Sequence, residues 1–126
     1  MPSLEGKVAL ITGAGGRKGI GRATALKLAA LGADIALTDV TRPQSDLPPQ
    51  ERGDKWQGIE SVAEEVRAHG RKCQTVACDL SVNAEVRDLI DTVIGEFGKI
   101  DIMINNARAI IGKDRVPVWE LDEAEW

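Results

Sequence analysis

"KVALITGAGGRKGIGRA", residues 7–23, runs from a short apolar segment into five glycines and two adjacent cations, Arg17 and Lys18. Val8, Ala9, Leu10 and Ile11 are apolar without alternation, the pattern of a strand buried on both faces. Beyond the glycines, Ile20, Ala23, Leu26, Leu28, Ala29 and Leu31 recur near helical spacing, and Gly32 suits a helix C-terminal cap. A glycine-rich turn between a strand and a helix is an anion site: backbone N–H groups and the helix dipole point at the ligand, and glycine lets a phosphate approach the backbone. The spacing narrows the choice. There is no Gly-Lys-Ser/Thr triplet, and G-x-G-x-x-G fails because Lys18 stands at its last position, whereas G-x-x-x-G-x-G fits at Gly15, Gly19 and Gly21. One or two of these glycines serve only the turn and the helix–strand packing. Five of them around two cations point to a nucleotide or dinucleotide.

The next segment supports a dinucleotide. "DIALTDV" (34–40) is a second buried strand that closes on Asp39. A carboxylate about 20 residues past such a loop accepts the hydroxyls of an adenosine ribose and repels a 2′-phosphate. Residues 41–57 hold three prolines and no periodicity, which predicts a long functional loop. A helix is predicted over 58–70, a third strand over 72–80 ending on Asp79, and a helix over 82–98 with Ser81 as its N-cap. A fourth strand is predicted over 99–105, a loop over 106–118, and another helix start at 120–126.

The alternation of apolar strands and helices predicts an α/β fold: a Rossmann-type doubly wound parallel sheet with helices on both faces, about four strands of it in this chain. Residues 1–126 are read as the dinucleotide-binding part of one domain. Thr12, Asp39, Asp79 and Asn105 each end an apolar strand, so they share the rim where open parallel sheets bind ligands.

Composition narrows the function classes. The chain is 43% hydrophobic and 29% charged, ordinary for a globular protein, and its net charge of −4 argues against a nucleic-acid partner. No apolar run reaches the length of a membrane span, and the N-terminus lacks the pattern of a signal peptide, so no membrane association and a cytoplasmic location are expected. Cys73 and Cys78 lie an odd number of residues apart on one predicted strand and are read as free buried thiols. With one histidine and two cysteines there is no metal-ligand spacing. Trp56 is expected to anchor the 41–57 loop, Trp119 and Trp126 to pack a helix start, and His69 to meet a helix C-terminus.

These motifs together resemble the short-chain dehydrogenase/reductase family in its classical branch. "TGAGGRKGIG" is similar to that family's T-G-x-x-x-G-x-G loop, "CDL" (78–80) to its adenine-contacting Asp-hydrophobic pair, and "INNARA" (104–109) to its N-N-A-G motif. The resemblance covers essentially the whole chain. It implies an NAD(P)-dependent oxidoreductase that moves hydride to or from an alcohol or carbonyl carbon of a small-molecule substrate. Gly13, Gly19, Ile20 and Gly21 would line the pyrophosphate, with Gly15 or Gly16 in the middle role. Asp39 would hold the ribose, Asp79 and Leu80 the adenine, while Asn106 and Ala107 would pass the nicotinamide ribose. The loop is two residues longer than the family pattern, which would either carry Arg17 and Lys18 toward phosphate or simply lengthen the turn. Arg108 replaces the family's glycine. The family's catalytic Ser, Tyr and Lys lie beyond the fourth strand, and this chain has no tyrosine. It is therefore read as the N-terminal half of such an enzyme, supplying cofactor binding and no catalytic residue, with a homo-oligomer implied for the full-length form. Asp39 favours NAD; Arg17, Lys18 and Arg42 keep NADP open. Two other readings stand beside this one: an S-adenosylmethionine-dependent methyltransferase, which also pairs a glycine loop with acidic strand ends, and a non-catalytic nucleotide-binding module.

Overall fold

Residues 3–41, 47, 49, 55–108 and 117–120 are described by the computed structural model. Val8–Thr12 forms β1, buried at all five positions, as its unbroken apolar run requires. Asp34–Asp39 forms β2, Cys73–Ala77 β3 and Ile102–Ile104 β4. The intervening helices are α1 (Ile20–Ala30), α2 (Ile59–Ala68) and α3 (Asn83–Phe97).

All strand pairs are parallel and the sheet order is β3-β2-β1-β4. In this register Ile11 lies between Leu37 of β2 and Ile104 of β4. The chain first builds outward from β1 to β3, then returns to place β4 on the other side of β1. The direction of winding reverses there, which makes the C-terminal end of the β1–β4 pair a topological switch point.

Alternate residues of the central strands face opposite layers. Ile11 and Leu37 pack with Ala25 and Ala29 of α1 and with Val62 and Val66 of α2. Leu10 and Ala36 face the other way, onto Leu89 and Val93 of α3. Helices therefore cover both faces, as expected. Each fully buried Leu, Ile or Val contributes about 1.5–3 kcal/mol through the apolar surface it removes from water.

Several boundaries differ from the sequence expectation. β3 stops at Ala77 rather than running to residue 80, because the Asp79 carboxylate accepts the Ser81 N–H and hydroxyl and turns the chain out of the sheet. The Ser81 hydroxyl is thereby taken from the capping role; Val82 flanks α3 and makes no side-chain cap. Cys78 lies just past β3 and is buried, while Cys73 is only partly so; both are free thiols. β4 is three residues long, not the seven expected, so Asn105 lies past its end. At its start, Asp101 accepts the Val8 N–H through its side chain (2.9 Å). Trp119 is 82% exposed in a 3₁₀ turn, Val118–Glu120. Trp126, Arg42, most of the 41–57 loop and all but Glu120 of the helix start expected over 120–126 fall outside the described residues.

Candidate functional site

Thr12 closes β1 and is 1% exposed. Its hydroxyl accepts the N–H groups of Asn106 (3.1 Å) and Ala107 (3.0 Å) and donates to the Ile104 carbonyl (3.4 Å). The Asn106 side-chain amide donates in turn to the carbonyls of Thr12 and Gly13, both at 3.1 Å. The segment after β4 is thus stitched to the start of the glycine loop across the switch point. It is Asn106, not the strand-ending Asn105, that makes these bonds.

The glycine loop depends on two close approaches. Gly13 has φ +64°, and a Cβ there would stand 2.7 Å from the Ala107 Cα. At Gly21, in the first turn of α1, a Cβ would lie 2.9 Å from both the Ala14 Cα and the Asn106 amide nitrogen. Only glycine lets the helix start, the loop and the post-β4 segment meet this closely. Gly19 flanks α1 in extended conformation with no side-chain cap, and no acidic residue stands in the first turn. The first N–H groups of α1 therefore keep the partial positive charge that draws an anion. Ile20 is 76% exposed beside them.

Asp39 meets the same loop from the neighbouring strand. Its Oδ2 accepts the Gly15 N–H at 2.8 Å and its Oδ1 the Val40 N–H at 2.8 Å. Gly13, Gly15, Gly16, Asp39, Trp56 and Gly58 line part of a cavity of about 470 Å³ beside β2. That volume lies within the range of small-molecule sites. A smaller hollow of about 250 Å³ adjoins it along Val40, Thr41 and Ala77 and is bounded by Asp79 and Glu85. The Ser81 hydroxyl and N–H hold the Asp79 carboxyl below its ordinary range, so it is an anion at neutral pH. Leu80 is partly exposed next to it.

The expected site residues thus fall into three neighbouring groups. Gly13, Gly15 and Asp39 line the larger cavity. Asp79 bounds the adjoining hollow beside Leu80. Asn106 and Ala107 bond to Thr12 at the switch point, close to Gly19, Ile20 and Gly21 at the head of α1. The Arg17 side chain is exposed, as are Ile20, Asp79, Leu80 and Ala107.

Three contributors were not assigned to the site from sequence. Thr12 was placed at the rim but not recognised as the junction of the loops. Trp56, expected to anchor the 41–57 loop, donates its indole N–H to the Gly15 carbonyl of the glycine loop at 2.8 Å. Arg22 lies over the Trp56 ring, 5.0 Å from its centroid, and donates to the Arg17 carbonyl at 2.7 Å. Glu65 of α2 grips the Arg22 guanidinium with two bonds of 2.8 and 2.6 Å. That hydrogen bonding pushes the Arg22 pKa further above its ordinary value. All but the Arg22–Arg17 bond join positions far apart in the chain, and no periodicity or spacing encodes them.

The geometry fits a dinucleotide: an anion-seeking helix start, a loop that only glycine permits, and a strand-end carboxylate over a cavity. A family profile described as short chain dehydrogenase matches residues 7–126. An uncharacterized NAD-dependent oxidoreductase of Mycobacterium tuberculosis is 35% identical over 98% of this chain and 43% of its own length. The 2-dehydro-3-deoxy-D-gluconate 5-dehydrogenase of Escherichia coli is 34% identical over 98% of this chain and 41% of its own. Among solved structures, NAD+-bound xylitol dehydrogenase superposes with a TM-score of 0.70 at 34% identity, covering 98% of this chain and 40% of that one. The chain thus spans less than half the length of the relatives it matches. The profile over nearly every residue, the relatives and the Rossmann-type sheet agree: the chain belongs to the short-chain dehydrogenase family.

Proposed function

We propose that this chain is the cofactor-binding part of an NAD(P)-dependent oxidoreductase that transfers hydride between a nicotinamide cofactor and an alcohol or carbonyl substrate. The observation that carries the proposal is Asp39, which closes β2, lines the larger cavity and bonds the glycine loop through Gly15. Relatives named as NAD-dependent or solved with NAD+ support the same cofactor.

In this proposal the first turn of α1, with Gly13, Gly19, Ile20 and Gly21, receives the pyrophosphate. Asp39 receives the adenosine ribose hydroxyls and disfavours a 2′-phosphate by charge, which selects NAD over NADP. Arg17 and Lys18 supply positive charge on the outer turn of the loop, the feature that keeps NADP in play. Asp79 and Leu80 border the adenine, and Asn106 and Ala107 the nicotinamide ribose. When bound, the cofactor supplies the hydride acceptor or donor. The residues of this chain bind and orient it, and none of them is assigned a proton-transfer role. A small-molecule substrate, no nucleic-acid partner, a cytoplasmic location and a homo-oligomeric full-length protein complete the proposal; the net charge of −4 suits the absence of nucleic acid.

Calorimetric titration of the full-length protein with NAD+, NADP+ and S-adenosylmethionine tests it. NAD+ should bind more tightly than NADP+, and S-adenosylmethionine should give no heat. Binding of S-adenosylmethionine without NAD+ would return the methyltransferase reading.

A further inference from the structure

Gly15, buried in the lengthened loop, and Arg17, exposed on it, each have the carbonyl held by a side chain from elsewhere. The Trp56 indole N–H takes the Gly15 carbonyl and the Arg22 guanidinium takes the Arg17 carbonyl. The two donors are themselves locked together: Arg22 lies over the Trp56 ring and is gripped by Glu65 through two bonds. A planar guanidinium bound at both ends has little rotational freedom left. All peptide bonds described are trans, and a trans peptide carries its N–H opposite its C=O. Fixing the Gly15 carbonyl therefore fixes the direction of the Gly16 N–H, and fixing the Arg17 carbonyl fixes that of the Lys18 N–H.

We propose that Arg22 and Trp56, held by Glu65, are positioning residues that set the backbone N–H groups of Gly16 and Lys18 for the phosphates of the bound dinucleotide. The assignment rests on the reading of the glycine loop as a phosphate cradle given above. It also gives a loop two residues longer than the family pattern two side-chain braces, at the Gly15 and Arg17 carbonyls. An anion held by backbone N–H groups is sensitive to their direction, because a hydrogen bond weakens steeply as its angle closes. The inserted residues would otherwise leave two peptide units able to flip.

Three variants test the assignment in the full-length protein. Trp56→Phe keeps an aromatic ring for Arg22 but has no N–H to donate. Arg22→Gln loses the fork to Glu65. Glu65→Gln keeps the size of the side chain and loses its charge. The first readout needs no ligand: in amide ¹H–¹⁵N spectra the Gly16 resonance should move in Trp56→Phe and the Lys18 resonance in Arg22→Gln. The second is affinity for ADP and for adenosine. Loss of one orienting hydrogen bond should weaken ADP about fivefold in either variant, with adenosine changed less than about twofold. Glu65→Gln should follow Arg22→Gln in the same direction with a smaller loss.

Unmoved Gly16 and Lys18 amides in folded variants would overturn the assignment. So would an equal loss for adenosine and ADP, which would make Trp56 a wall of the adenosine site instead. Thermal unfolding of each variant separates these outcomes from a failure to fold, and Trp56→Phe is the mildest of the three. If the unaltered protein binds neither ADP nor NAD+ while its amides respond as stated, the dinucleotide reading falls and the loop-bracing role stands alone.

Discussion

The Asp39 carboxylate lies 2.8 Å from the Gly15 N–H, so the residue that ends β2 also ties down the glycine loop after β1. Two consequences of one carboxylate are therefore coupled: the shape of the loop and the charge on the wall of the larger cavity. Asp39→Asn separates them: the single amide oxygen still accepts the Gly15 N–H while the charge is gone, and the exposed Val40 N–H, bonded to the other carboxylate oxygen, turns to water. The expected result is a loss of about tenfold in NAD+ affinity and a collapse of the preference over NADP+, with little change in unfolding temperature. Paired titrations with the two cofactors measure it; an unchanged NAD+ to NADP+ ratio would remove Asp39 from the selectivity argument.

Thr12 offers a test of the switch point without any ligand. Thr12→Val preserves shape but deprives the Asn106 and Ala107 N–H groups of their common acceptor. Leaving part-buried donors unpaired should cost about 2 kcal/mol of stability. Thr12→Ser keeps the hydroxyl and loses one buried methyl, worth about 0.8 kcal/mol. Urea unfolding of both variants should rank Val below Ser. The reverse order would show that packing, not hydrogen bonding, holds this junction.

Two glycine-to-alanine changes should have opposite signs. Gly13→Ala forces a side chain into a left-handed backbone and to within 2.7 Å of Ala107, and should destabilise by about 2 kcal/mol or more. Gly95→Ala lies on the exposed face of α3 with nothing within 4 Å of the new methyl, and should stabilise by about 0.5–1 kcal/mol. Equal effects at the two positions would mean that the loop has relaxed around the new methyl.

Asp101 predicts how stability responds to acid. Its carboxyl is held below the ordinary value of 3.8, first by the Val8 N–H and then by Lys99. A carboxyl depressed in the folded state adds stability that is present above its unfolded pKa and is lost as pH falls through the folded one. The stability gap between wild type and Asp101→Asn should therefore be full at pH 6 and shrink below about pH 4. Denaturation midpoints measured at pH 6, 4 and 3 give the comparison. A gap that widens on acidification would contradict the assignment.

The architecture was readable from sequence because β1, β2 and the helix faces carry strong, local hydrophobic patterns. Val8–Ile11 and Ile35–Leu37 are apolar at every position, as a strand covered on both sides must be. Strand ends were read less well where side chains set them: the turn at Asp79 depends on which partner Ser81 chooses, and periodicity is silent on that. The acidic rim and the glycine loop were recognisable from residue type and order. The contacts of Thr12, Arg22, Trp56 and Glu65 were not, since all but the Arg22–Arg17 bond join segments tens of residues apart, through side chains that are equally at home on an ordinary surface.

The strand order also sets a timetable for folding. The bond between Gly15 and Asp39 closes across 24 residues, whereas Thr12 and Asn106 meet across 94. Short closures cost less chain entropy and form sooner. During synthesis the β1-α1-β2 unit leaves the ribosome with the Asp39 carboxylate already able to engage the loop. The β1 edge that Asn106 and β4 will cover stays open until much later. Nascent chains caught in that interval present an apolar, unpaired strand edge, and it is then that this protein is most exposed to wrong partners.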